Sequence, residues 1–119
     1  MAHIFDIPKF TDSRGDLCVV ENLLPFEVKR IYYIFNVSGQ RGGHRHRETQ
    51  QALIYFSGSC MVFTDSGKER NTYVLDRPDK CLVVEPKDWH TMSGFSKGTT
   101  LLVMASECYD ANYFIDERY

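Results

Sequence analysis

The residues with most to offer chemically stand in one stretch, Arg41-Gly42-Gly43-His44-Arg45-His46-Arg47-Glu48-Thr49-Gln50-Gln51. Histidines at i and i+2 on a strand project to the same face, so His44 and His46 can bring two imidazoles into one cavity. Imidazole titrates near neutral pH, which suits a pair acting as proton acceptor and proton donor. Gly42 and Gly43 let the backbone bend sharply on its way into that strand. Taken alone, the stretch reads equally well as a basic, solvated edge strand.

An imidazole pair needs a rigid frame, and the rest of the chain reads as short strands and turns. Runs rich in Val, Ile, Tyr and Phe fall at Asp16–Glu21, Val28–Val37, Gln51–Ser57, Cys60–Thr64, Thr72–Leu75, Cys81–Glu85 and Thr99–Ser106. Turn chemistry separates them, as at Ser57-Gly58, Asp65-Ser66-Gly67 and Arg77-Pro78-Asp79. No segment keeps a 3.6-residue period over ten residues. The acidic, aromatic tail after Tyr109 has room for one helical turn. Strands at this spacing predict an antiparallel sandwich or barrel, and 119 residues suffice for one domain, 1–119. Leu101-Leu102-Val103-Met104 is apolar on both faces, which predicts a homodimer covering one outer face.

Composition narrows the function classes. The chain is 43% hydrophobic and 25% charged with a formal charge of −2, so no overall basic field would draw it to nucleic acid or an anionic membrane. An anionic ligand must be held by a local cluster of Arg and Lys. Cys18, Cys60, Cys81 and Cys108 form no CxxC pair and no metal spacing. They are expected to be reduced, with Cys18, Cys60 and Cys81 as small hydrophobes. Residues 1–10 lack the pattern of a signal peptide, and no run approaches the ~20 apolar residues of a membrane span. The expected location is cytoplasmic.

Four residues lie between His46 and Gln51 and six between Gln51 and Gly58. That spacing resembles the first motif of the cupins, and Pro86-Lys87-Asp88-Trp89-His90 resembles their second. Metal-binding cupins carry a carboxylate where this chain has Gln51, and a neutral amide is a poor ligand for a divalent ion. The whole chain resembles the sugar-nucleotide 3,4-ketoisomerases. The match is carried by Asp12-Ser13-Arg14-Gly15, Lys29–Phe35, Arg41–His46, Trp89-His90 and Ala105–Asp110. The resemblance implies an all-β, antiparallel jelly-roll barrel with no metal and no other cofactor. It implies catalysis at His44 and His46, and a substrate site drawn from Arg14, Arg30, Tyr32, Arg41, Gln51 and His90. The implied partners are a dTDP-linked 4-keto-6-deoxy sugar and a second copy of the chain, in deoxysugar biosynthesis for lipopolysaccharide or S-layer glycans.

The implied reaction moves a carbonyl from C4 to C3. A proton leaves C3, an enediol forms, and a proton returns to C4. One imidazole carries the carbon-bound proton while the other serves the oxygens, and either assignment fits. Tyr32, Arg41 and His90 are candidate donors to the developing enediolate. The mixed face Arg30, Tyr32, Ile34 is expected to line the pocket, in contrast to the apolar face Ile31, Tyr33, Phe35. Arg45 and Arg47 point away from the histidines, toward solvent or a dimer contact, and Trp89 is expected in the core. Three other readings stay open. They are a 3,5-epimerase, which has less use for His46; a metal-dependent cupin with His44, His46 and His90 as ligands; and a sugar-nucleotide-binding module without turnover.

Overall fold

The computed structural model describes all 119 residues, and nearly all its regular structure is strand. The strands are β1 (His3–Asp6), β2 (Lys9–Asp12), β3 (Gly15–Cys18), β4 (Arg30–Ile34), β5 (Arg41–His46) and β6 (Gln51–Ser57). After them come β7 (Cys60–Asp65), β8 (Arg70–Leu75), β9 (Lys80–Val84), β10 (Trp89–Ser93), β11 (Thr100–Ala105) and β12 (Phe114–Ile115). The single helical element is a 3₁₀ turn at Ala111–Tyr113, capped by the Asp110 side chain, which accepts from the Asn112 backbone N–H. No helix is long and apolar enough to cross a membrane.

All pairings are antiparallel, in two five-stranded sheets, β1-β9-β6-β11-β4 and β12-β5-β10-β7-β8, plus a separate β2-β3 hairpin. The all-β, antiparallel expectation stands, but the closed jelly-roll barrel does not. No hydrogen-bonded ladder joins the sheets: edge strand β4 pairs only with β11, and at the facing edge β12 pairs only with β5. Side chains of β4, β5 and the C-terminal segment spread there around an open cavity, so the strands stand too far apart to pair.

The main core lies between the sheets, where Leu53, Val62, Leu75, Leu82, Val84, Leu101 and Val103 are all buried. A second apolar cluster sits on the outer face of the first sheet, around Ala52, Ile54, Val83 and Met104. Leu23, Leu24 and Phe26 of the β3–β4 connection pack against it. The apolar outer face of β11 is thus covered in good part by the chain itself. The apolar face left open belongs to β4, where Ile31, Tyr33 and Phe35 are 60–64% exposed.

Candidate active site

Strand β5 enters the second sheet through Gly42 and Gly43, both at positive φ (86° and 85°). The ladder with β10 skips Gly43: Thr91 faces Gly42, and His90 faces His44. The glycine pair therefore makes a bulge that sets His44 opposite His90. A Cβ on Gly42 would lie 2.8 Å from the His90 carbonyl oxygen, so only glycine lets the two strands approach this closely.

Three imidazoles meet as a result. Ring centroids are 5.1 Å apart for His44 and His46, 5.2 Å for His44 and His90, and 5.9 Å for His46 and His90. Their nitrogens lie within 4.8 Å of one another, close enough to share a metal ion. Gln51, the neighbour that would have to supply an anionic ligand, gives its amide N–H to the Tyr32 hydroxyl instead (3.1 Å). His90 is buried, with Nδ1 3.3 Å from the Asp88 carbonyl oxygen. The N–H is assigned to that nitrogen because a carbonyl can only accept, which leaves Nε2 as the acceptor. His46 is 1% exposed, and neither of its ring nitrogens has a hydrogen-bond partner.

Burial keeps these rings neutral. His46 is pushed down to about 3, first by desolvation and then by positive charge at His90, His44 and Arg30; the nearby Gln51 amide pulls weakly the other way. His90 falls to about 4, again mainly by burial and then through His44, opposed by the Asp88 carbonyl. His44 is lowered by burial and partly restored by the Asp116 carboxylate. Burial also raises the Tyr32 hydroxyl, against the opposing pull of Arg30, Gln51 and Arg41, so the phenol stays a donor.

The rings edge a cavity of about 360 Å³ in the gap between the sheets. It is lined by His44 and His90 from one sheet, Arg30, Tyr32 and Gln51 from the other, and Arg41 at the rim strand. The mixed face of β4 thus turns inward, as its composition predicts. His46 lies behind His44 rather than on the cavity wall. The Arg30 guanidinium lies over the rings of Tyr32 and Tyr109, 5.3 and 5.7 Å from their centroids, and its Nε is buried without a partner. A cation held by aromatic faces rather than by a carboxylate is available to an anionic ligand.

Arg14 is not in this group. It lies at the turn of the β2–β3 hairpin, 88% exposed and paired with Asp12 (2.7 Å), beside a different depression. Trp89 is not in the core either. It lies on the outer face of its sheet near Phe63, and its indole N–H donates to the Asp116 carbonyl. Arg45 and Arg47 point away from the histidines, as expected, and each meets the C-terminal segment: half-buried Arg45 stacks on Tyr119 and donates to its hydroxyl, and Arg47, still exposed, donates to the Asn112 carbonyl. All three hold the C-terminal segment, whose Phe114 and Tyr109 close one side of the cavity. The aromatic content of that tail was the one sequence signal for them.

The family model described as "FdtA: WxcM-like, C-terminal" matches residues 1–119. The chain belongs to this family. A relative from Aneurinibacillus thermoaerophilus, a TDP-4-oxo-6-deoxy-alpha-D-glucose-3,4-oxoisomerase, is 39% identical over 116 residues, 94% of this chain and 84% of the relative. Among solved structures, the WlaRB TDP-quinovose 3,4-ketoisomerase of Campylobacter jejuni superposes with a TM-score of 0.92 at 40% identity, over 98% of this chain and 92% of that one. A 3,4-ketoisomerase from Helicobacter canadensis gives 0.92 at 38% identity, over 98% and 90%. In this WxcM-like chain, neutral imidazoles, phenol and guanidinium groups converge on one cavity, a set able to move protons and bind an anion.

Proposed function

We propose that this chain is a metal-independent isomerase that moves the keto group of a dTDP-4-keto-6-deoxyhexose from C4 to C3, with residues 1–119 forming one catalytic domain. The observation that carries the reading is the neutral imidazole pair beside a cavity that offers Arg30 from the opposite sheet and Arg41 from the start of the histidines' own strand. The family's 3,4-ketoisomerases supply the substrate class.

Arg30 and Arg41 hold the diphosphate, and Tyr32, fixed by Gln51, donates to the sugar oxygens. One imidazole of the pair takes the C3 proton and the same or the other delivers a proton to C4. The enediol oxygens between these steps are stabilised by Tyr32, Arg41 and His90. Negative charge on the bound diphosphate raises the basicity of imidazoles that burial has lowered, bringing them toward a useful range. Arg14 serves the nucleotide from a second copy of the chain, since its hairpin stands apart from its own cavity. The homodimer uses the apolar face of β4, and the protein acts in the cytoplasm, in deoxysugar biosynthesis for surface glycans.

The test is incubation with dTDP-4-keto-6-deoxyglucose in deuterated water, followed by NMR, with and without a strong chelator. The expected result is a carbonyl relocated to C3 in both samples, with deuterium in the product at C4 and none at C5. Deuterium at C3 and C5 with the carbonyl still at C4 would make the chain an epimerase. Unchanged sugar would make it a binding module. Turnover lost to the chelator and restored by metal would turn His44, His46 and His90 into ligands.

A further inference from the structure

A histidine that moves protons is normally oriented by a hydrogen bond at its second nitrogen. His90 has such a bond, to the Asp88 carbonyl. No hydrogen bond of good geometry fixes either nitrogen of His46, and the nearby Gln51 amide gives its N–H to Tyr32, so packing is the main constraint on its ring. The ring packed against it that comes from outside the histidine cluster is Phe114. Its centroid lies 4.7 Å from His46, at a 72° interplanar angle, and 4.7 Å from His44, at 42°. Phe114 belongs to neither apolar core cluster; its remaining aromatic neighbour is Tyr109, at 5.7 Å. We propose that Phe114 is a positioning residue, whose ring holds the His44 and His46 imidazoles in the orientation that proton transfer requires.

The backbone is built to keep that ring in place. Phe114 pairs directly with His46 in the β12–β5 ladder. A two-residue strand does not hold by its own ladder, and here both ends are tied. Before it, the Arg47 backbone N–H donates to Tyr113 (2.7 Å) and the Arg47 side chain to Asn112 (3.1 Å). After it, Trp89 donates to the Asp116 carbonyl (3.1 Å), and Arg118 donates to the buried carboxylate of Asp65 (3.1 Å) while lying over the rings of Phe63 and Trp89. Tyr119 donates to the Lys87 carbonyl (2.8 Å). The tail is thus a latched strap, and Phe114 is its working point.

The inference rests on the acid–base reading of the histidine pair, so its test uses one readout that needs turnover and one that does not. Phe114→Ala, Phe114→Leu and Arg118→Ala are compared with wild type for kcat, dTDP affinity, melting temperature and ¹H–¹⁵N spectra of the imidazole rings. A misplacement of about 1 Å at reacting groups costs up to about a hundredfold. Phe114→Ala should therefore lower kcat by about tenfold to a hundredfold with dTDP affinity within about twofold. Phe114→Leu should recover part of that loss, and Arg118→Ala should show a smaller loss of the same kind. The ring signals of His44 and His46, single in wild type, should broaden or multiply in Phe114→Ala. An unchanged kcat, or a fall in kcat matched by equal losses of dTDP affinity and melting temperature, would overturn the proposal. If wild type itself fails to turn over, the acid–base reading is what fails, and unchanged ring signals in Phe114→Ala or, should that variant not fold, in Phe114→Leu would separately refute the positioning role.

Discussion

The three clustered imidazoles differ in what surrounds them, and their titration should report it. His46 and His90 are held to about 3 and about 4 against a usual 6.5. Between those values the unfolded chain binds protons that the folded chain refuses, so stability rises with pH. Their contribution is complete above about pH 6.5 and drains away as pH falls toward 4 and then 3. Asp88, whose carboxyl is pushed up by burial, acts in the opposite sense near the acid end. Melting temperatures from pH 7 to pH 4 should fall in wild type and fall less in His46→Asn; equal slopes would mean that His46 titrates as if exposed. The same substitution, or His44→Asn, should lower turnover at least about a hundredfold while leaving dTDP affinity nearly intact, measured by kinetics and calorimetry. Activity near wild type in both would move the chemistry to His90. Much of this site is legible in the sequence: the i, i+2 histidines, the glycine pair and the amide at Gln51 are local features. Phe114 is not, because no spacing rule links residue 114 to residue 46; only the fold of the tail joins them.

Strand β4 has two chemically different faces. Arg30, Tyr32 and Ile34 turn to the cavity, while Ile31, Tyr33 and Phe35 stand open along a sheet edge. Burying a large apolar side chain is worth roughly 1.5–3 kcal/mol, so three side by side can contribute much of an association energy. Tyr33→Glu with Phe35→Glu should shift the chain from dimer to monomer in sedimentation experiments with its melting curve still cooperative. A dimer of unchanged stability would place the interface elsewhere. The alternation on β4 is readable from the sequence, since it follows the two-residue period of any strand. The bilateral apolar character of β11 misleads, because Leu23, Leu24 and Phe26 arrive from a connection without strand periodicity to cover it. Strand β12 is equally silent in the sequence, being two residues long and held by side chains of other elements.

At the level of the whole molecule, the sandwich is open on the side where chemistry is possible. The unpaired edges β4 and β12 stand on either side of the cavity, which opens between the sheets. Local strand and turn signals predict an all-β antiparallel fold but do not say whether the last edges meet, which depends on side chains far apart in sequence. The hairpin β2–β3 is the other open feature. Its Arg14 has only Asp12 for company in its own chain, and Phe10 and Leu17 beside it are exposed. If Arg14 serves the cavity of a second copy, Arg14→Ala and His46→Asn disable different halves of one site. Mixing the two weakly active variants after unfolding and refolding them together should restore activity, through dimers that keep one intact site. Failure to recover any activity would confine Arg14 to its own subunit or remove it from the site.

The cysteines divide by the same geometry. Cys60 and Cys81 are buried, their thiols pushed up to about 11 and about 12 by desolvation, and so are closed to electrophiles at ordinary pH. Cys18, predicted from the sequence to be a packed apolar residue, instead lies exposed on the hairpin, and Cys108 is exposed next to Tyr109 of the cavity wall. The natural chain thus offers a maleimide dye two attachment points and no others, one on the projecting arm and one at the rim of the site. Two such dyes form a molecular ruler, with which the arm of one subunit can be followed relative to the cavity of the other without changing a residue.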